Sequence, residues 1–170
     1  MLYPFFYLIC IDMAIKEKNL SAKTVNNKAE ISSKRIAILI SEWNEEITDS
    51  LYEGAFNTLT QNGIQKQNII KAYVPGSFEL SLGAQKMAQK EDIDAVICLG
   101  CVIQGETRHF EFICQSVAQG LKDVALKFDK PVIFGVLTTD TFQQALDRAG
   151  GKHGNKGDEA AVTAIKMINL

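Results

Sequence analysis

A chain of 170 residues, 46% of them apolar and 22% charged, has room for one soluble globular domain with a sizeable core. A formal net charge of −2, with the lysines scattered, excludes the basic stripe that nucleic-acid binding demands. Four cysteines (Cys10, Cys98, Cys101 and Cys114) suit reduced thiols in a cytoplasmic setting better than a disulfide framework.

Residues 2–11 are apolar but too short to span a bilayer, so no membrane partner is expected. They also lack the basic start and small-residue cleavage site of a secretory signal. Met13 opens a more conventional polar leader, which leaves Met1 and Met13 as alternative translation starts. Residues 14–33 are polar and aperiodic, which gives a mobile arm over 1–33 and a folded domain over 34–170.

From residue 35 the pattern becomes regular. A first buried strand is predicted over 35–41, then a helix over 48–62 with Leu51, Tyr52, Ala55, Phe56 and Leu59 on one face, Thr48 as its N-cap and Gly63 as its stop. A second strand over 69–74 ends at Pro75-Gly76 and leads to a helix over 77–90. A third strand over 94–100 precedes a helix over 109–127, in which Phe110, Ile113, Cys114, Val117, Leu121 and Val124 recur at helical spacing. The fourth strand, over 131–137, is followed by a short helix through 149 and a glycine-rich loop over 150–157. A final helix over 158–168 turns Ala161, Ala164, Ile165 and Ile168 inward. Alternating strands and helices with near-continuous apolar strands predict an α/β fold: a three-layer α/β/α sandwich around a four-stranded parallel sheet. Its exposed edges invite an added strand, which the N-terminal arm could supply.

Ligands of such sheets bind beyond the carboxyl ends of the strands, and the unusual residues collect there. Trp43 follows the first strand, Ser77-Phe78-Glu79 the second, and the run from Gly100 to His109 the third. The glycines of that run have P-loop spacing, but Glu106 stands where the lysine should be and would repel a triphosphate. A smaller phosphorylated substrate with His109 as proton shuttle fits better, at a helix N-terminus suited to anions. Trp43, the only tryptophan, suits either a core or a stack on a flat heterocycle, and Glu79 either a dipole-complementing first turn or a ligand contact. Arg148, at the end of a short helix, reads by composition first as a dipole-matching surface cation, and Lys156, in a glycine-rich loop, is just as ambiguous. Cys98 and Cys101 form a lone C-x-x-C; their offset along a strand points them to opposite faces, no second pair completes a zinc site, and no metal is expected.

Four blocks in order carry a family resemblance over residues 35–170: Val74-Pro75-Gly76-Ser77-Phe78-Glu79, Gly105-Glu106-Thr107-Arg108-His109-Phe110, Phe134-Gly135-Val136-Leu137-Thr138-Thr139, and Arg148-Ala149-Gly150 through Gly154-Asn155-Lys156-Gly157. Together they resemble lumazine synthase, which makes 6,7-dimethyl-8-ribityllumazine in riboflavin biosynthesis. The resemblance implies a flavodoxin-like sandwich and a transferase condensing 5-amino-6-(D-ribitylamino)uracil with 3,4-dihydroxy-2-butanone 4-phosphate. It implies that Trp43 stacks on the pyrimidine and that Ser77, Phe78, Glu79, Cys101, Val102 and Ile103 bind the ribityl-bearing substrate. It also implies that Glu106 and Thr107 hold the phosphorylated ketone, Arg148 and Lys156 the phosphate, and that His109 is the catalytic proton donor. Phe134 matches a residue that reaches the site from an adjacent subunit.

Departures from common family forms leave these groups in place: Trp43 replaces phenylalanine, Ser77 alanine, and Cys101 threonine or alanine, while Glu42 and Arg108 replace a basic residue and proline or threonine. The implied steps are Schiff-base formation, phosphate elimination, ring closure and dehydration, with no metal or organic cofactor. The implied assembly is a homo-oligomer with sites between subunits, either a pentamer or an icosahedral shell of twelve pentamers (a 60-mer), the short 150–157 loop favouring the shell. Riboflavin synthase is the implied protein partner. The competing readings are a non-catalytic flavin- or lumazine-binding assembly protein and a flavodoxin-like regulatory domain.

Overall fold

The computed structural model describes residues 31–170; the expectations for the apolar opening, the alternative starts and most of the arm lie outside the described residues. Four parallel strands, β1 (Ile36–Ser41), β2 (Ile69–Val74), β3 (Ala95–Ile103) and β4 (Val132–Thr139), pair in the order β2-β1-β3-β4. Successive side chains on a strand point to opposite faces, so each strand feeds two cores. Ile36, Ile38 and Ile40 of β1, with Ile97 and Leu99 of β3, enter one. Ala37 and Leu39 of β1, with Val96 and Cys98 of β3, enter the other.

Helices cover both faces. On the first lie α1 (Glu45–Gln61), the short α4 (Phe142–Arg148) and α5 (Lys156–Ile168), whose Leu51, Ala145 and Ala161 are buried. On the second lie α2 (Leu80–Ala88) and α3 (His109–Phe128), contributing Leu80, Ala84, Val117 and Leu121. The result is a flavodoxin-like three-layer sandwich. Each fully buried Leu or Ile contributes roughly 1.5–3 kcal/mol through removal from water, so the two cores hold the scaffold rigid beneath the strand-end loops. Among the described residues no helix is long and apolar enough to cross a membrane.

Several local expectations are corrected. Thr48 is not the N-cap of α1: it is buried inside the helix, and the cap is Asn44 in the left-handed region (φ 61°). The second helix opens with a 3₁₀ turn at Ser77–Glu79 before α2 begins. Strand β3 runs three residues beyond Gly100, to Ile103. The glycine-rich loop holds a small antiparallel hairpin, β5 (Ala149–Gly151) with β6 (Gly154–Asn155). Phe110, Ile113 and Cys114 are only half-buried, Ile113 packing against the rim of the second core, whereas Val117, Leu121 and Val124 are inside it. Ile31, inside the stretch read as an arm, is fully buried in the first core.

Candidate active site

The carboxyl ends of β1, β2 and β3 meet where the chain crosses from one side of β1 to the other, the switch point at which open α/β sheets bind ligands. A cleft of about 640 Å³ lies there, lined by Trp43, Asn44, Gly76, Ser77, Phe78, Glu79, Cys101, Val102, Ile103, His109 and Ile113. Eight of these are residues singled out from the sequence: Trp43, Ser77, Phe78, Glu79, Cys101, Val102, Ile103 and His109.

Trp43 is 72% exposed, so its place is the cleft wall and not the core. The loop that presents it is tied at both ends. The Glu42 backbone N–H donates to the Val74 carbonyl at 2.9 Å, and Asn44 Nδ2 donates to the Cys101 carbonyl at 2.9 Å. Asparagine tolerates the left-handed backbone needed for that turn. Gly76 sits beneath the indole: a Cβ there would lie 3.3 Å from Trp43 Cδ1 and 3.0 Å from Glu79 Oε2. Phe78, also exposed, gives the cleft a second ring. Exposed aromatic rings beside a few polar groups suit a flat, partly polar ligand.

Deeper in, β3 needs a glycine at position 100, where a Cβ would meet Ser77 Oγ at 2.6 Å. The Ser77 and Ser41 hydroxyls are buried and make no hydrogen bond among the described residues. Burial pushes the Cys101 thiol up to about 11, so it is protonated at neutral pH and is no thiolate nucleophile. Cys98 is buried on the opposite face, its thiol pushed up further by the same desolvation. His109 is the first residue of α3 and is exposed; its backbone N–H donates to Thr107 Oγ1 at 3.4 Å. Among the described residues no cluster of three or more His, Cys, Asp or Glu side chains could hold a metal ion.

The remaining candidates lie outside the cleft wall. Glu106 and Thr107 are exposed on the loop before His109. Phe134 is on edge strand β4, in register with Cys98, and 38% exposed. Arg148 ends α4, and Lys156 begins α5, where its ammonium pairs with Glu159 at 3.0 Å. Among the described residues no lysine or arginine lines the cleft.

The model of the 6,7-dimethyl-8-ribityllumazine synthase family matches residues 33–170. The chain belongs to that family. Relatives bearing the same name agree over nearly the whole chain. That of Cytophaga hutchinsonii is 63% identical over 156 residues, covering 92% of this chain and 98% of the relative. That of Parabacteroides distasonis is 53% identical over 158 residues, covering 93% and 99%. That of Flavobacterium johnsoniae is 54% identical over 158 residues, covering 93% and 83%.

Among this lumazine synthase family member's cleft residues, sequence reasoning gave no site role to Asn44, Gly76 or Ile113. Gly76 reads as an ordinary turn residue and Ile113 fits the apolar helical period, so neither carries a distinguishing signal. Asn44 has one weak signal, its place directly after Trp43 at a strand end.

Proposed function

We propose that the chain catalyses condensation of 5-amino-6-(D-ribitylamino)uracil with 3,4-dihydroxy-2-butanone 4-phosphate to 6,7-dimethyl-8-ribityllumazine, releasing phosphate, in riboflavin biosynthesis. The observation that carries this reading is the meeting of Trp43, Phe78 and His109 in one cleft at the switch point of a chain from this family. Trp43 stacks on the pyrimidine. Ser77, Phe78 and Glu79, with the end of β3 at Cys101, Val102 and Ile103, hold the ribityl-bearing substrate. The substrate amine is already nucleophilic and the Cys101 thiol stays protonated, so the amine attacks the ketone directly. Water leaves to form the imine, phosphate is eliminated, and ring closure with loss of a second water completes the product. His109 donates and accepts the protons of these steps. Aligning two substrates supplies up to roughly 7–11 kcal/mol, against about 10²–10⁴-fold from one acid–base group, so positioning is the larger effect.

A phosphate needs cations, and among the described residues the cleft wall has none. On the family resemblance we assign the phosphate to Arg148 and Lys156, with Glu106 and Thr107 against the ketone. Phe134, Arg148 and Lys156 are supplied by a neighbouring subunit, which makes the active unit a homo-oligomer. A pentamer, and a shell of twelve pentamers, is the assembly this reading expects; light scattering giving only a pentamer would remove the shell. The reading includes a cytoplasmic location and riboflavin synthase as the enzyme that takes the product. The test is to mix the purified protein with both substrates and follow lumazine absorbance together with phosphate release. A binding-only protein would retain ligand without releasing phosphate.

A further inference from the structure

Arg148 and Lys156 flank the β5–β6 hairpin: Arg148 immediately precedes β5, and Lys156 immediately follows β6. The hairpin's seat is therefore the seat of both cations. It rests on the middle of α1 through Asn155. Asn155 Oδ1 accepts from the Gly157 backbone N–H at 2.8 Å, an ordinary N-cap for α5. Its Nδ2 donates to the Ser50 carbonyl of α1 at 2.8 Å, and Ser50 Oγ in turn donates to the carbonyl of Ala149, the residue paired with Asn155 across the hairpin.

The backbone of α1 is shaped for this contact. A Cβ on Gly54 would lie 2.6 Å from Asn155 Cγ, and one on Gly157 would lie 1.9 Å from the Leu51 carbonyl oxygen. A cap needs only the Oδ1 acceptor. The Nδ2 bond, the Ser50 hydroxyl and the slot left by Gly54 do nothing for capping; they fix where the hairpin sits on α1. The same helix starts at Asn44, which anchors the Trp43 loop to β3.

We infer that Asn155 is a positioning residue for the phosphate end of the site, acting through Arg148 and Lys156 by locking their hairpin to α1. This rests on the assignment of those two cations to the phosphate. The test uses Asn155→Ala and Gly54→Ala in the full chain. The second variant fills the slot with a residue that favours helix, so it perturbs the hairpin without unravelling α1. Each variant is expected to raise KM for the phosphorylated ketone about tenfold, leaving kcat and KM for the ribitylaminouracil within twofold. Each should also weaken binding of inorganic phosphate about tenfold by calorimetry. Equal rises in both KM values, or an unchanged KM for the ketone with only a lowered melting temperature, would overturn it and leave Asn155 a plain structural cap. Were the unaltered protein to give no lumazine, the proposed reaction would fall. The phosphate titration needs no turnover and would still decide the role of Asn155, an undiminished affinity in both variants refuting it.

Discussion

Trp43 offers the sharpest test of the cleft. Because the indole is 72% exposed and held by its backbone ties, Trp43→Ala removes little that the fold depends on, and stability should move by no more than about 0.5 kcal/mol. That corresponds to a melting shift of roughly 2 °C or less for a domain of this size. Stacking of a heterocycle on an aromatic side chain is worth about 1–3 kcal/mol, and each 1.4 kcal/mol is tenfold in affinity. The Kd for the pyrimidine substrate should therefore rise roughly 5- to 150-fold in the alanine variant, whereas Trp43→Phe, which keeps a flat ring, should recover most of the loss. The assay is built into the chain: Trp43 is its only tryptophan, so quenching of protein fluorescence on titration reports from the cleft. Absence of quenching in the unaltered protein would refute the stack. So would a Trp43→Ala protein that binds the pyrimidine within twofold of the original, measured by calorimetry. A melting temperature lowered by about 10 °C would show that the indole is a structural element.

Four further outcomes are expected. His109→Ala should lower kcat by about 10²–10⁴-fold at most, while Arg148→Ala should raise KM for the phosphorylated ketone by roughly 10- to 150-fold, the value of a charge-assisted hydrogen bond; steady-state kinetics with each substrate varied separates the two. Complete loss of turnover in a folded His109→Ala protein that binds both substrates would contradict the ranking of positioning over proton transfer. Burial raises the Cys101 thiol from 9.0 to about 11, so the folded state retains a proton that the unfolded chain loses first. Its stabilising contribution is complete below about pH 9 and disappears as pH rises through 11, on the order of 3 kcal/mol. Urea unfolding of the unaltered protein and of Cys101→Ala at pH 8–11 checks this, because the alanine variant should lose that part of the alkaline decline. Gly157→Ala forces a Cβ to within 1.9 Å of the Leu51 carbonyl oxygen, so α1 and α5 must part. Overpacking of about 1–3 kcal/mol gives a melting temperature lower by roughly 2–10 °C, read by calorimetry at fixed protein concentration; no change would mean that the two helices are not held this closely.

Legibility differed along the chain for physical reasons. Strands β1 and β2 are nearly continuous apolar runs bounded by polar residues or Pro-Gly, and their limits follow from that pattern to within a residue. Gly100 reads as a strand end, yet β3 passes through it, because the missing Cβ makes room for Ser77 brought from another loop. The true cap of α1 was hidden because the Asn44 turn is held by a carbonyl 57 residues away. The β5–β6 hairpin was hidden in a glycine-rich segment whose turns use Gly150 and Gly154 at positive φ, a conformation that composition permits but does not specify. Ile113 fits the core period of α3, yet it lies one turn after His109 at the start of that helix and lines the cleft wall.

The sequence by itself determined the layered parallel architecture, since apolar runs alternating with amphipathic helices have few other ways to leave water. It also marked the strand-end residues Trp43, Phe78, Glu79 and His109, because the local chemistry of each is unusual for its position. Tertiary structure alone decided which of these share a cleft, through the order β2-β1-β3-β4 that draws the ends of the first three strands together. It also decided that Phe134, Arg148 and Lys156 stand apart from that cleft: β4 lies at the far edge of the sheet, and the hairpin between the two cations is seated on α1 by contacts made across more than a hundred residues of sequence.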